Sequence, residues 1–138
     1  MPAGNGFVET RLRVRYAETD QMGYAYYGVY AAWLEVGRVE HLRARGVSYR
    51  ELEAAGQFLP VRELHLEYLA PARYDDEVAV LTRVVELGKS RAVFESELSR
   101  EGDRQLLARA RVVLACLDRQ GRPRRLGEEL IRACAPGS

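Results

Sequence analysis

The chain has 138 residues, of which 47% are apolar and 30% are charged, and this composition predicts one globular domain spanning residues 1–138. Its 21 basic and 20 acidic residues nearly cancel, leaving a formal net charge of +1. That balance excludes the strongly basic proteins that bind nucleic acid or anionic membrane surfaces. No apolar run is long enough for a membrane-spanning helix, so we expect no membrane insertion.

The two ends of the chain and its cysteines indicate an ordinary intracellular domain. Residues 1–6 are predicted to be a flexible lead-in, without the basic and apolar regions of a signal peptide, and residues 119–138 a C-terminal extension. Cys116 and Cys134 have the spacing of neither a disulfide framework nor a metal site, and the two histidines lack a third ligand at a metal spacing. We expect a cytoplasmic protein that holds no metal.

The first predicted element is a strand over residues 7–16, because apolar and polar side chains alternate there with period 2. Its inward-facing residues are Val8, Thr10, Leu12, Val14 and Tyr16. A polar loop over residues 17–26 follows, and it separates this strand from a strongly apolar segment.

A long helix is predicted over about residues 27–45. Apolar side chains recur there at three- and four-residue steps and widen into a face that should be largely buried: Val29, Ala32, Trp33, Val36, Val39 and Leu42. Gly46 is a typical helix stop, and Ser48 then starts a short helix that ends near Ala55.

The rest of the chain is predicted to be mostly strands joined by tight turns. The strands cover residues 58–69, 78–87, 91–100 and 105–118, and a short helix is expected over 126–134. One apolar helix followed by an antiparallel meander predicts an α+β fold in which the sheet wraps the helix. A small sheet with free edge strands favours a dimer with a continued sheet.

The loop before the long helix contains the first candidate for catalysis. It holds one carboxylate, Asp20, followed three residues later by Gly23. Because N–H groups at a helix N-terminus attract negative charge, a carboxylate near them could act as base or nucleophile toward a carbonyl that they polarise. An Asp in such a loop is also a common turn former or helix cap, so this position alone leaves both interpretations open.

The segment Arg15–Tyr30, RYAETDQMGYAYYGVY, resembles the signature of the 4-hydroxybenzoyl-CoA thioesterase-like, or acyl-CoA thioester hydrolase, family. Glu35 and Arg38 extend the match along the helix, and Tyr68–Asp76 is similar to the family's second landmark. The resemblance covers about residues 8–117. It implies the hotdog fold, a curved antiparallel sheet wrapped around one long helix, paired into dimers and commonly into homotetramers.

The same resemblance implies roles for three residues. Asp20 would be the catalytic carboxylate, as nucleophile or as base for water, and the backbone N–H of Tyr27 would bind the thioester oxygen. Gly23 would let the chain turn tightly toward the substrate. Many members carry His at the position of Tyr27 and Asn at that of Val29, and an aromatic residue at the first position is typical of the aroyl-CoA branch.

Substrate contacts are expected from tyrosines and from cations. Tyr24, Tyr26 and Tyr30, with Tyr27, either line an acyl pocket or pack at a subunit interface. Because coenzyme A is polyanionic, its nucleotide end requires cations. The resemblance favours three residues for this role: Arg73, Lys89 and Arg91. The alternative is that they are ordinary charged side chains on the solvated surface. Glu35 and Arg38, three apart on one helix face, are spaced for an ion pair.

The resulting prediction is hydrolysis of an acyl- or aroyl-CoA thioester to a free acid and coenzyme A, without a resident cofactor, by a homo-oligomer that is a dimer or a dimer of dimers. One alternative is a hotdog hydratase or dehydratase, which typically uses a His with a carboxylate across the site. Neither His41 nor His65 lies in such a motif. The other is a non-catalytic acyl-CoA-binding or scaffold protein, which the intact Asp20 and Gly23 argue against.

Overall fold

The computed structural model describes residues 6–135, so nearly all of the predicted lead-in and the last three residues of the predicted C-terminal extension lie outside the described part. The described chain contains five strands and three helices in the order β1 (Val8–Arg13), α1 (Val29–Arg43), α2 (Tyr49–Ala54), β2 (Val61–Tyr68), β3 (Glu77–Leu87), β4 (Arg91–Arg100), β5 (Leu106–Ala115) and α3 (Glu128–Cys134).

All five strands form one antiparallel sheet in the order β1-β3-β4-β5-β2. Strands β3, β4 and β5 follow one another through tight turns and form its centre, while β1 and β2 are its edges. Helix α1 packs mainly on β1 and β3, with a smaller contact on β4. The predicted α+β architecture, a curved sheet around one long helix, is confirmed. Within residues 6–135, no helix combines the length and the apolar character needed to cross a membrane.

The centre of α1 lies unusually close to the sheet. Its core side chains include Trp33, Leu34 and Leu42, all nearly fully buried. Between them, Gly37 faces β3 so closely that a Cβ atom there would lie 2.4 Å from Oγ1 of Thr82 and 2.8 Å from Cγ1 of Val80. The missing side chain is therefore what allows the helix to reach the sheet at this point.

The predicted first strand is too long at its C-terminal end. It stops at Arg13, and residues 16–18 form a single 3₁₀ turn, because the Arg15 N–H donates to the Glu18 carboxylate at 2.8 Å and bends the chain out of the sheet. The inward-facing series therefore ends at Val14, and the prediction that Tyr16 faces inward is wrong, since Tyr16 is 79% exposed.

The C-terminal extension contributes to the core. Leu130, Ala133 and Cys134 of α3 are buried in the same cluster as the side chains of α1. The start of α3 is also attached to the loop before β2, because the Gly127 N–H donates to Oε1 of the buried Gln57 at 2.7 Å. The predicted terminal helix is confirmed, and its burial makes it part of the domain's packing.

A buried histidine near the C-terminal end of α1 predicts a pH-dependent stability. His41 packs edge-on against Phe94, and burial, together with the nearby Arg45 guanidinium, lowers its pKa from 6.5 to about 4. The unfolded chain therefore binds a proton more readily than the folded chain, and stability falls as the pH drops from 6.5 to about 4. At about 1.4 kcal/mol per pKa unit, the loss attributable to His41 is about 3 kcal/mol.

Urea unfolding of the wild-type protein and of His41→Gln at a series of pH values measures this loss. We expect the free energy of unfolding to vary less with pH in His41→Gln than in the wild type between pH 6.5 and 4. The exposed His65 supplies the control, because His65→Gln should keep the wild-type dependence. Equal slopes for wild type and His41→Gln would contradict the assignment.

Candidate active site

The loop between β1 and α1 is a tight turn centred on Asp20. Thr19 and Ala25 form an isolated antiparallel bridge across it. Inside the bridge, the Asp20 N–H donates to the Tyr24 carbonyl at 2.8 Å, and the Gly23 N–H donates to the Asp20 carbonyl at 2.9 Å. Gly23 has a φ of 81°, in the left-handed region that favours glycine, which agrees with its predicted role as the turn residue.

One oxygen of the Asp20 side chain holds this turn together. Its Oδ1 accepts the Met22 N–H at 2.9 Å and the Tyr24 N–H at 3.2 Å. Within residues 6–135, Oδ2 has no hydrogen-bond partner, and the residue is exposed to solvent. The turn-forming interpretation of Asp20 is thus confirmed, and the geometry leaves one carboxylate oxygen accessible.

The backbone around Tyr27 presents a free donor at the start of α1. The Tyr26 N–H donates to the Glu18 carbonyl at 3.0 Å, and the Tyr26 carbonyl accepts the Val29 N–H at 3.1 Å. Because N–H and C=O of one trans peptide point in opposite directions, the Tyr27 N–H is directed away from the helix. It donates to no acceptor within the described part of the chain. Gly28, the N-cap residue, supplies no side chain that could accept it.

Asp20 and Tyr27 line one open cavity of about 430 Å³. Its walls are the Asp20 loop, the start of α1 and the segment that leaves β2, and its lining is mostly apolar and aromatic: Met22, Tyr24, Ala25, Tyr30, Tyr68, Leu69, Ala70 and Pro71. The cavity therefore brings together a residue with an accessible carboxylate oxygen, a residue with a free backbone N–H, and several aromatic residues.

The predicted substrate-contacting tyrosines separate into two groups. Tyr24 and Tyr30 line the cavity, and Tyr30 also has a structural role, because it is 2% exposed and its hydroxyl accepts the Ala72 N–H at 3.3 Å. Burial raises the pKa of Tyr30. The side chain of Tyr26 is half exposed and does not line this cavity.

The predicted cations also lie in two places. The Arg73 guanidinium stacks over the Tyr24 ring at 5.1 Å, beside the cavity. Lys89 and Arg91 lie at the turn between β3 and β4 and do not line it, and Arg91 is paired with Glu86. Their role in coenzyme A binding remains a prediction.

Glu18 supports the Asp20 loop through its buried carboxylate, a role that the sequence did not reveal. It accepts hydrogen bonds from the Arg15 N–H, the Arg15 guanidinium at 3.2 Å and the Trp33 indole at 3.4 Å. Burial raises the pKa of Glu18, but these hydrogen bonds outweigh it and hold the pKa below its ordinary value. Glu18 thereby fastens the Asp20 loop to α1. Its position two residues before Asp20 is the only signal in the sequence.

The second landmark is held from outside by Arg100. Its guanidinium donates to the Pro71 carbonyl at 2.6 Å and to Asp76 at 3.1 Å, and Asp76 in turn accepts the Arg73 N–H at 2.9 Å. These contacts fix the course of the chain at the cavity wall. Residues of this segment therefore have structural roles beside any contact with substrate.

Comparisons with known proteins identify the family. The family model described as the thioesterase superfamily matches residues 22–107, more than half of the chain. The acyl-CoA thioester hydrolase YbgC of Escherichia coli O6:H1 is 32% identical over 121 residues, which are 87% of this chain and 90% of that protein. A relative from Bacillus subtilis is 35% identical over 83 residues, and these are 60% of each of the two proteins.

Solved structures agree in fold. A hypothetical protein from Thermus thermophilus is 42% identical with a TM-score of 0.85, covering 92% of this chain and 96% of that chain. The DHNA-CoA thioesterase of Staphylococcus aureus is 33% identical with a TM-score of 0.83, covering 91% and 82%. The family match and these likenesses together show that the chain belongs to the thioesterase superfamily and is a thioester hydrolase with the hotdog fold.

Proposed function

We propose that the chain hydrolyses acyl-CoA thioesters in the cavity of Asp20 and Tyr27. The observation that carries this proposal is that Asp20, which has an accessible carboxylate oxygen, and Tyr27, which has a free backbone N–H, line the same cavity. A thioester carbonyl is already electrophilic, so it needs an oriented oxyanion donor and a base or nucleophile. The E. coli relative, named for acyl-CoA thioesters, supports the substrate class.

Two routes fit these groups. As a base, Asp20 takes a proton from water while the water oxygen attacks the carbonyl carbon, and the negative charge that develops on the carbonyl oxygen is stabilised by the Tyr27 N–H. The carbon–sulfur bond then breaks, and the thiolate of coenzyme A leaves and takes up a proton. As a nucleophile, Asp20 forms a mixed anhydride with the acyl group and expels the thiolate, and water hydrolyses the anhydride.

An aromatic acyl group suits this cavity best. The cavity is lined by Tyr24, Tyr27, Tyr30 and Tyr68, and tyrosine rings favour edge-on or offset packing against another aromatic ring. We therefore propose aroyl-CoA esters as the preferred substrates, with Arg73 beside the cavity and the Lys89–Arg91 turn as candidate contacts for the coenzyme A phosphates. A cytoplasmic location and the lack of a resident cofactor remain predictions.

A second copy of the chain would complete the sheet. Edge strand β2 is exposed along its whole length apart from the half-buried Leu66, and α1 does not cover its inner side, where Leu64 is 43% exposed. Unpaired N–H and C=O groups beside exposed apolar side chains favour pairing with another β2 strand. Antiparallel pairing about a two-fold axis would place the Val61 end of one β2 beside the Tyr68 end of the other. Because Tyr68 lines the cavity, each copy would then lie next to the cavity of its partner.

Analytical ultracentrifugation at micromolar concentration tests the dimer. We expect the wild-type protein to sediment as a dimer or a dimer of dimers, and Leu64→Glu to shift it toward the monomer, because a carboxylate there would be buried at the joint. Glu63→Gln, on the outer side of the same strand, is the matched control and should keep the wild-type mass. A monomeric wild type would contradict the proposal.

A panel of acyl- and aroyl-CoA esters with a thiol-release readout tests the reaction. We expect thiol release with at least one ester and higher kcat/KM for aroyl than for long-chain acyl esters. Release that favours long aliphatic chains would overturn the substrate preference but keep the reaction. Binding of the esters without any release would favour the acyl-CoA-binding scaffold, and water addition to an enoyl-CoA ester would favour the hydratase.

A further inference from the structure

Tyr68, the last residue of β2, makes a hydrogen bond that the proposed reaction does not yet explain. Its hydroxyl donates to the backbone carbonyl of Tyr27 at 2.6 Å, linking the edge strand to the start of α1. The Tyr68 ring packs edge-on against the Tyr30 ring at 4.9 Å between centroids, and this contact fixes the direction of its hydroxyl.

This hydrogen bond acts on the residue that carries the proposed oxyanion donor. On the N-terminal side of Tyr27, the Val29 N–H holds the Tyr26 carbonyl, which belongs to the same peptide as the Tyr27 N–H, and the Glu18 carbonyl holds the preceding peptide through the Tyr26 N–H. On the C-terminal side, the Tyr68 hydroxyl holds the Tyr27 carbonyl. With both flanking peptides fastened, the backbone dihedral angles of Tyr27 are fixed, and with them the direction of its N–H.

The helix itself supplies no alternative to this contact. Its N-cap residue is Gly28, which has no side chain, and α1 has no acidic residue in its first turn. Helix starts usually fray or rely on a capping side chain. Among the described residues, Tyr68, from a different element, is therefore the side chain that hydrogen-bonds to the backbone at this terminus. Burial, followed by the proximity of Tyr27, raises the pKa of Tyr68 above its ordinary value of 10.0, so the shift does not oppose its role as a donor.

We propose that Tyr68 is a positioning residue for thioester hydrolysis: its hydroxyl, through the Tyr27 carbonyl, holds the Tyr27 N–H toward the site of the developing oxyanion. The proposal rests on the proposed function of the Asp20–Tyr27 cavity. An oxyanion donor contributes most when its direction is fixed before the reaction, because no reorganisation is then needed in the transition state. Tyr68 also lies on the edge strand, so pairing of two β2 strands would steady the same hydrogen bond.

The variant Tyr68→Phe isolates the hydroxyl, since it keeps the ring and its packing against Tyr30. We expect kcat for a good ester to fall about tenfold while KM changes by no more than about twofold, because the lost stabilisation exists mainly in the transition state. Tyr74→Phe is the matched control. Tyr74 is 55% exposed and its hydroxyl makes no hydrogen bond with the described residues, so both constants should stay at the wild-type values.

Two unreactive ligands separate positioning from a merely structural role. In a ketone analogue of the ester, a methylene replaces the sulfur and the carbonyl remains; in a thioether analogue, a methylene replaces the carbonyl. We expect Tyr68→Phe to weaken binding of the ketone several-fold and to leave the Kd of the thioether unchanged. The carbonyl stretching frequency of the ketone should also lie closer to its value in water when the ketone is bound to Tyr68→Phe than when it is bound to the wild-type protein.

Equal loss of affinity for both analogues, or an unchanged kcat, would overturn the role of Tyr68. The wild-type protein is the separate check on the proposed function. If it releases no thiol from any ester, that function fails, whereas the comparison of the two analogues still decides whether Tyr68 directs the Tyr27 N–H toward a carbonyl.

Discussion

Asp20→Asn is expected to fold like the wild-type protein and to lose at least about 10²-fold in kcat for thioester hydrolysis. The reason is that the two carboxylate oxygens have different roles, one in the turn and one in the proposed reaction. Oδ1 accepts the Met22 and Tyr24 N–H groups, and the carbonyl oxygen of Asn can take its place. The charge, and with it the ability to take a proton or attack a carbonyl, is lost. Steady-state kinetics with a thiol-release readout measures the loss in kcat, and thermal unfolding measures whether the variant folds like the wild type.

The chain supplies a matched control in Asp118. Its Oδ1 also accepts two backbone N–H groups, those of Gln120 and Arg122, each at 2.9 Å, in a turn of the same kind. Asp118→Asn should therefore be as harmless to folding as Asp20→Asn and keep wild-type turnover. If Asp20→Asn also keeps turnover near the wild-type value, Asp20 is a turn former alone and the proposed mechanism fails.

Gly37→Ala is expected to destabilise the protein by about 3 kcal/mol, the upper part of the range for overpacking a core. The added Cβ would lie 2.4 Å from Oγ1 of Thr82 and 2.8 Å from Cγ1 of Val80. Both belong to a central strand, so α1 must move away from β3 and lose contacts along its buried face. In a chain of this size the melting temperature should fall by about 10 °C.

Two further variants show whether the close approach is the cause. Gly102→Ala adds the same methyl group where no atom lies within 4 Å and should leave the melting temperature nearly unchanged. Thr82→Ala in the Gly37→Ala background removes the nearer of the two clashing atoms, so the two changes should cost less together than separately added. A Gly37→Ala protein as stable as the wild type would contradict the close approach of α1 to Thr82 and Val80.

The elements could be predicted because their signals are local. Alternation defines β3, β4 and β5, and the spacing of apolar residues defines α1, with both of its bounds within two residues of the prediction. The end of β1 could not be predicted in the same way. The alternation of apolar and polar residues continues through Tyr16, but a hydrogen bond from the Arg15 N–H to the Glu18 carboxylate ends the strand. The alternation does not show whether the Arg15 N–H bonds to a neighbouring strand or to this side chain.

The site could be predicted only where the sequence motif covers it. Asp20, Gly23 and Tyr27 lie in one segment, and the cavity brings the first and the last together. Other features depend on distant elements. The spacing of Glu35 and Arg38 permits an ion pair, but Arg38 is 5% exposed and has no ion pair with the described residues.

Contacts across the fold explain the other differences from the predicted site. Tyr68 is the first residue of the second landmark, yet its contact with Tyr27 joins residues 41 positions apart. Arg91 is paired with Glu86 across the β3–β4 turn, where a bulge between Val84 and Glu86 shifts the register. The partner of Tyr68 cannot be read from the local sequence, because it depends on how a strand and a helix meet. The partner of Arg91 depends on the register of the hairpin, which the bulge shifts.

A crystal structure with the ketone analogue of a hydrolysed ester tests the central claim most directly. The account predicts that the carbonyl oxygen of the analogue accepts the Tyr27 N–H at about 3 Å, with the free oxygen of Asp20 facing the carbonyl carbon directly or through one water. An analogue bound elsewhere on the domain, or a carbonyl that faces away from Tyr27 with Asp20 turned to solvent, would contradict it.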